Sequence, residues 1–195
     1  PDSVQFSFLL TTPSHYRMSF TSSEGERSPE PPPFKITVDE DLAPRVDILK
    51  PEEPEIQLPA NGQLAVDGVA TDDWGLESVT LKLRLAGAAP RDLASFKLND
   101  GKSFRRTEKD GSVSLPTSLD YKGSVDFAKL ADAAGVPVKL EAGMVIEYWL
   151  EATDNRTKPG ASGPEADPNV GKSEVKRVTL VPPVMDMQER NRQDT

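Results

Sequence analysis

The feature that most constrains the fold is a strand–loop–strand phrase that occurs twice in the chain. The first copy runs from an alternating segment at 16–25 (YRMSFTSSEG) through a polar loop to a second alternating segment at 34–38 (FKITV). The second copy runs from 148–155 (YWLEATDN) through a polar loop to 175–180 (VKRVTL). A phrase repeated in fixed order is typical of tandem modules. Little chain precedes the first copy and a full domain precedes the second, so we predict the remnant of one module followed by a complete one.

The spacing of turn-forming residues favours an all-β fold. The chain has 18 prolines and 13 glycines spread between short alternating runs, as in proteins with many strands and turns. We predict an immunoglobulin-like antiparallel β-sandwich over residues 43–183, with an insertion at about 86–140. A partial, three-stranded module over residues 1–40 precedes it, and a polar tail at 184–195 is a candidate start of a helix. The three predicted strands of the partial module are 4–10, 15–22 and 34–38.

The predicted insertion contains one helical signal. Asp126 is a residue type that caps helices, and Gly135 is a residue type that ends them. We therefore predict a short helix over residues 127–134, preceded by a strand at 121–127.

Composition narrows the classes of partner. The formal net charge is −9 and the isoelectric point is near 4.7, which opposes nucleic-acid binding because phosphate neutralisation requires clustered Lys and Arg. No stretch approaches the roughly 18 apolar residues that span a bilayer, so we expect no direct membrane insertion within this segment. Cysteine is absent from the sequence, which excludes disulfides, thiolate metal sites and cysteine nucleophiles.

The sequence contains no recognisable catalytic pattern. Its single histidine, His15, begins a predicted strand. The Gly-x-Ser-x-Gly motif, which would supply a serine nucleophile for a catalytic histidine, is absent from the sequence. Walker, HExxH and dinucleotide-binding patterns are also absent from the sequence. We therefore expect a protein that is not an enzyme, and we assign it no catalytic residue and no cofactor-binding residue.

The run 72–79 (DDWGLESV), followed later by 148–155, resembles bacterial immunoglobulin-like and fibronectin-III-like modules. More narrowly, it looks like the extracytoplasmic repeats of large membrane-anchored bacterial proteins that continue into a helical region. This resemblance implies a non-catalytic structural spacer or protein-interaction module. It also implies a periplasmic or cell-surface location, with a protein partner or a neighbouring repeat as the contact.

A second resemblance concerns acidic segments. The run 38–44 (VDEDLAP) looks like the acidic linker of cadherin-type modules, and 70–73 (ATDD) and 152–155 (ATDN) resemble that family's acidic loops. This resemblance implies a calcium-rigidified adhesion repeat, and calcium takes about six to eight oxygen ligands. The carboxylates also suit ordinary turns, in which Asp accepts from backbone amides two residues on. Both interpretations stay open for the candidate ligands Asp39, Asp41, Asp72, Asp73 and Asp154.

The two tryptophans receive different predictions. Alternation places Tyr148 and Leu150 inward, so Trp149 faces outward between two glutamates. An outward Trp149 is a candidate contact for a protein partner or a neighbouring module. An outward Trp149 would also suit carbohydrate binding, as in a carbohydrate-binding accessory domain of a secreted enzyme. The alternative is that the 86–140 insertion covers Trp149. We predict that Trp74, in an Asp-Trp-Gly turn, plugs one end of the sandwich.

The partial module carries apolar faces that need a cover. Fully burying a side chain such as Phe6, Tyr16 or Phe34 is worth about 1.5–3 kcal/mol, and an open sheet edge invites pairing. We therefore predict that residues 1–40 pack on the second module or pair with the same segment of another molecule. A homodimer through residues 1–40 is the favoured outcome, because identical strands would rebuild the missing sheet.

Overall fold

The protein is described by a computed structural model that covers residues 12–98, 105–107, 109, 111, 113–160 and 163–184. The chain divides into two compact units, Pro1–Glu40 and Asp41–Thr195. Within the described ranges, all regular structure is β-strand apart from one 3₁₀ turn, so the predicted all-β fold class is confirmed. None of the described helical segments is long and apolar enough to cross a membrane.

In residues 12–40, the described part of the first unit, β1 (Ser14–Tyr16) and β2 (Phe34–Ile36) form a small antiparallel pair. The rings of Tyr16 and Phe34 stack with centroids 5.1 Å apart. The predicted strand at 15–22 is shorter in the structure and ends at Tyr16. Farther along the chain, the Ser22 hydroxyl accepts from the backbone amides of Glu24 and Glu26 and closes a turn. Such local side-chain bonds compete with a sheet ladder. The predicted strand at 4–10 lies outside the described residues, as does the tail at 185–195.

The second unit contains two sheets that face each other. The strands of the smaller sheet are β3 (Arg45–Lys50), β5 (Gln63–Thr71) and β11 (Ser118–Asp126). Those of the larger sheet are β4 (Glu55–Pro59), β6 (Leu76–Leu85), β7 (Arg91–Asp92), β8 (Phe96–Lys97), β12 (Val145–Asp154), β15 (Val170–Lys172) and β16 (Lys176–Val181). The described residues of this unit also form two small hairpins, β9 (Arg106–Thr107) with β10 (Val113–Ser114), and β13 (Thr157–Gly160) with β14 (Gly163–Ala166).

The three strands of the smaller sheet are antiparallel in the order β11–β5–β3. The larger sheet has the order β4–β16–β12–β6–β7, with β15 also paired to β12 and β8 to β6. Its pairs are antiparallel except β4 with β16, which is parallel. Both hairpins are antiparallel.

The core is the layer between the two sheets. Alternate residues of β12 are fully buried, as the sequence pattern predicts, and they meet the inward residues of β5 and β6. A Cβ at Gly68 of β5 would lie 2.3 Å from Leu150 Cδ1, so glycine permits the closest approach of the two sheets. Each buried aliphatic side chain adds about 1.5–3 kcal/mol over its exposed form. Two facing sheets with one shared core are consistent with the predicted β-sandwich.

The segment 86–140 contributes β11 to the smaller sheet and therefore supplies part of the sandwich. Asp126 caps a 3₁₀ turn, Phe127–Lys129, by accepting from the Ala128 amide at 3.0 Å. The predicted helix to residue 134 is wrong. The backbone is already extended at Leu130, and Asp132 Oδ1 accepts from the amides of Ala134 and Val136, which forms a separate turn.

Candidate functional site

One end of the second unit brings three chain segments together: the residues entering β3, the β5–β6 turn, and the loop that follows β12. A Cβ on Gly171 of β15 would lie 1.7 Å from the Pro44 carbonyl oxygen. Only glycine permits that crossing of two backbones. Asn169 extends the contact, because its side-chain amide donates to the Asp41 carbonyl at 3.2 Å. Asp41 is thereby held beside the loop that follows β12.

Asp72 organises the β5–β6 turn. Its Oδ2 accepts from the backbone amides of Trp74 at 3.0 Å and Gly75 at 2.6 Å. Gly75 has φ +132°, a conformation that glycine adopts without strain. The predicted turn-forming role of this aspartate is therefore confirmed for Oδ2. Its second oxygen, Oδ1, is buried.

Asp154 ends β12 and is completely buried. Its Oδ1 accepts from the backbone amides of Arg156 at 3.0 Å and Asn169 at 2.8 Å. These bonds fix both ends of the long loop that carries the β13–β14 hairpin. As in Asp72, one carboxylate oxygen forms the turn and the other points elsewhere.

Three carboxylate oxygens at this end remain to be accounted for. Within the described part of the chain, Asp41 Oδ1, Asp72 Oδ1 and Asp154 Oδ2 are buried and have no hydrogen-bond partner. We call these atoms the open oxygens. Asp41, Asp72 and Asp73 each also offer an oxygen within 4.8 Å of the others. Turn formation thus accounts for one oxygen of Asp72 and one of Asp154, and leaves the open oxygens unexplained.

The electrostatics of this end are repulsive. Burial raises the pKa of Asp41, and the charges of Asp154, Asp72 and Asp73 raise it further, while Arg156 lowers it. The Arg156 guanidinium is itself engaged elsewhere. It donates to the Asp167 carbonyl and to the Asp167 carboxylate, both at 2.8 Å. A buried carboxylate oxygen is costly unless a hydrogen bond or a cation compensates it.

The donor set suits a hard divalent cation. It consists of carboxylate oxygens, which calcium and magnesium prefer, whereas transition metals favour imidazole and thiolate ligands. Calcium takes about six to eight oxygens, so Asp41, Asp72 and Asp73 would supply part of a shell, completed by carbonyls or water. Asp154 is not within 4.8 Å of all three, but its charge raises the pKa of Asp41 and its Oδ2 is buried without a partner, so it is a further candidate ligand. The residues present therefore fit a calcium ion.

The predicted ligands are distributed unevenly. The structure brings Asp41, Asp72 and Asp73 together, and Asn169 links Asp154 to the same end. Asp39 is an exposed residue of the first unit, so its part in the set stays a prediction. The sequence does not single out Asn169, because this residue lies in a proline-containing loop and the residue that its side chain contacts is distant along the chain.

Trp149 lies on the outer face of the larger sheet and is held at both sides of its ring system. Its Nε1 donates to Glu151 Oε1 at 2.9 Å, and the Arg84 guanidinium carbon lies 5.5 Å from the ring centroid. A cavity of about 530 Å³ opens between this face and residues 92–95, 131–133 and 135. The 86–140 segment thus forms a wall beside Trp149. That Trp149 contacts a partner stays a prediction.

Trp74 does not plug the sandwich. Its side chain is 58% exposed, because the turn buries Gly75 and Leu76 and leaves the indole outside.

Comparisons with known proteins assign no family to the chain. A scan of protein-family models and a search of curated proteins both find no match.

Proposed function

We propose that the second unit is a non-catalytic β-sandwich module whose Asp41 end is rigidified by calcium. The observation that carries the proposal is the set of three open oxygens beside the exposed carboxylate of Asp73. A divalent cation compensates several carboxylates at once, which hydrogen bonds within this end do not do.

Calcium would act as a crosslink between segments. Asp41 enters β3, Asp72 and Asp73 belong to the β5–β6 turn, and Asp154 begins the loop that Asn169 ends. An ion that binds all three segments reduces their freedom to separate. The module would then transmit force or hold its neighbour at a defined angle, which is what a spacer between other domains requires.

The wider assignment rests on the resemblances. An immunoglobulin-like repeat of a membrane-anchored protein, placed in the periplasm or at the cell surface, fits both the facing sheets and the acidic composition. Extracellular modules bind calcium with dissociation constants of about 10⁻⁴–10⁻³ M. The module therefore serves as a spacer or an interaction surface, with a protein partner or a neighbouring repeat as its contact.

Thermal unfolding in EDTA and in calcium tests the proposal. A ligand that binds only the folded state stabilises it by about 2.7 kcal/mol at 100 times its dissociation constant. For a domain of this size each kcal/mol raises the melting temperature by about 2–4 °C, so saturating calcium should raise it by roughly 5–11 °C. Magnesium should give a smaller shift, because it demands stricter geometry and keeps its waters.

Two variants assign the effect to this end of the unit. Asp154→Asn keeps the Oδ1 acceptor for its two amides and removes the charge, so it should abolish the calcium shift and stabilise the protein in EDTA. Glu141→Gln removes one charge from the turn before β12, at the opposite end of that strand, and should leave the shift intact. A wild-type melting temperature that is equal in EDTA and calcium would refute the proposal.

A further inference from the structure

The outer face of the larger sheet carries a second feature that the calcium proposal does not use. Trp149 and its neighbour Glu151 form the floor of the cavity described above, together with Lys82, which pairs directly with Trp149 across β6 and β12. The cavity of about 530 Å³ falls within the range of roughly 300–1,000 Å³ that is usual for small-molecule sites.

The residues of the floor are held by polar contacts. Trp149 is oriented by its hydrogen bond to Glu151 and by the Arg84 guanidinium near its ring. Trp149 lines the cavity, whereas Arg84 is not among its lining residues. Glu151 is fixed in turn by Lys172, whose ammonium lies 3.1 Å from its carboxylate.

The walls are equally well held. The Leu93 amide donates to the Leu83 carbonyl at 2.9 Å, and the Ala94 amide donates to the Ala131 carbonyl at 2.9 Å. Arg91 forms an ion pair with Asp132, whose other oxygen accepts from two amides of its own turn. The side chains of this wall are mostly small, so the backbone comes close to any occupant. Preorganised sites of this kind bind without a large ordering cost.

The chemistry of the lining selects the class of ligand. It combines an aromatic residue, Trp149, with a donor, Lys82, and with acceptors, Asp92 and Glu151. Glu151 and Asp132 are already neutralised by cations, whereas Asp92 adds a negative charge that repels phosphate and carboxylate ligands. A pyranose ring meets these requirements, because it presents an apolar C–H face to an aromatic ring and hydroxyls that both donate and accept at its rim.

We propose that the cavity beside Trp149 binds a short neutral oligosaccharide. Trp149 forms the stacking platform, and Lys82, Asp92 and Glu151 bond to the sugar hydroxyls. The site shares no residue with the acidic end, so the two proposals stand or fall separately.

Single-tryptophan fluorescence gives the direct test. Trp74→Phe leaves Trp149 as the chain's one tryptophan, and its emission can be titrated with maltotriose, cellotriose, mannotriose and chitotriose. At least one of these should give a saturable change with a dissociation constant of millimolar or tighter. Trigalacturonate, which carries three carboxylates, should bind at least tenfold more weakly than the best neutral sugar.

Calorimetry on the two-tryptophan chain assigns the site. Trp149→Ala should weaken the binding at least tenfold, and Trp149→Phe should recover part of it. Ala133→Phe fills the cavity from the exposed wall without touching the core, so it should block binding even where Trp149→Ala unfolds the protein. Trp74→Phe should bind like the wild type. Saturable binding to none of the four sugars, a preference for trigalacturonate, or binding that survives Ala133→Phe would overturn the proposal.

Discussion

Carboxylates are treated in opposite ways at two places in the second unit. On the outer face of the larger sheet, the Glu147 carboxylate forms ion pairs with two guanidinium groups. Its oxygens lie 2.5 Å from Arg84 Nη2 and 3.2 Å from Arg177 Nη2. At the Asp41 end, Asp72 and Asp154 each accept from backbone amides on one oxygen, and the open oxygens are buried without a hydrogen-bond partner. The chain therefore supplies the cations for Glu147, whereas on the calcium proposal the acidic end would take its cation from solution.

The difference has an energetic consequence. An exposed or half-exposed ion pair adds about 0–1 kcal/mol and fades with salt, so the outer face makes a small and constant contribution. Clustered buried carboxylates destabilise a fold unless a cation compensates them, and an ion that binds only the folded state adds to its stability. On the calcium proposal, stability at the acidic end would be conditional on the ion.

The largest predicted effect comes from giving the acidic end a cation of its own. Asp73 is exposed, so Asp73→Lys should fold and place an ammonium beside Asp41 and Asp72. In EDTA the variant should be more stable than the wild type by about 0.5–1 kcal/mol. Its calcium stabilisation should disappear, a loss of about 2.7 kcal/mol at 100 times the wild-type dissociation constant. Urea unfolding with and without calcium measures both quantities.

Asp73→Asn is the matched control for that substitution. It removes the same ligand charge without adding a cation, so it should weaken calcium binding and leave some stabilisation at high calcium. If Asp73→Lys keeps the full calcium response, the ion does not bind at this end.

The next effect concerns how the acidic end is assembled. Gly171→Ala would place a Cβ 1.7 Å from the Pro44 carbonyl oxygen, which is backbone and must move. Overpacking of this kind costs about 1–3 kcal/mol. Because the shift displaces the segment that carries Asp41, the calcium response should fall along with the stability in EDTA.

Ser173→Ala, two residues on, removes a hydroxyl that accepts from the Leu150 amide and should lower stability while leaving calcium affinity unchanged. Calorimetric calcium titration separates the two variants; equal affinity in both would show that the Pro44 crossing does not position Asp41.

The sequence was sufficient for features that depend on near neighbours. Period-2 alternation predicted the buried face of β12, and the Asp-x-x-Gly spacing predicted the turn around Asp72. It failed where partners are distant in the chain. The bridge from Asn169 to Asp41 spans 128 positions, and the fit of Gly171 under Pro44 depends on two strands meeting. Two local signals also competed in one segment. Asp126 and Gly135 predicted a helix, but Asp132 forms a turn within the same residues.

Candidate ligands could be chosen from the sequence, but the sequence could not predict which of their carboxylate oxygens are hydrogen-bonded. Acidic residues after strands are visible in the chain, and four of the five predicted ligands lie at one end of the second unit. Which oxygen of each forms a turn, and which is left open, follows from burial and hydrogen bonding alone. The calcium proposal rests on that information.

The smallest predicted effect tests the outer face. The hydrogen bond from Arg84 lowers the pKa of Glu147 and those from Arg177 add to this, against the opposing effect of burial. Because the pKa is lower in the folded state than the ordinary value of 4.5, the stabilisation is present above that value and is lost as the pH falls through the folded pKa. Glu147→Gln should therefore lose up to about 1 kcal/mol at pH 7 and should lose less stability on acidification than the wild type. Urea unfolding from pH 7 to pH 3 measures the difference, and Glu174→Gln, which changes an exposed acid, should stay within about 0.5 kcal/mol of the wild type.

The effect of Glu147→Gln should shrink in 1 M salt. It should stay the same with or without calcium, because the cations that pair with Glu147 belong to the chain. A calcium-dependent difference would remove the contrast between the two regions.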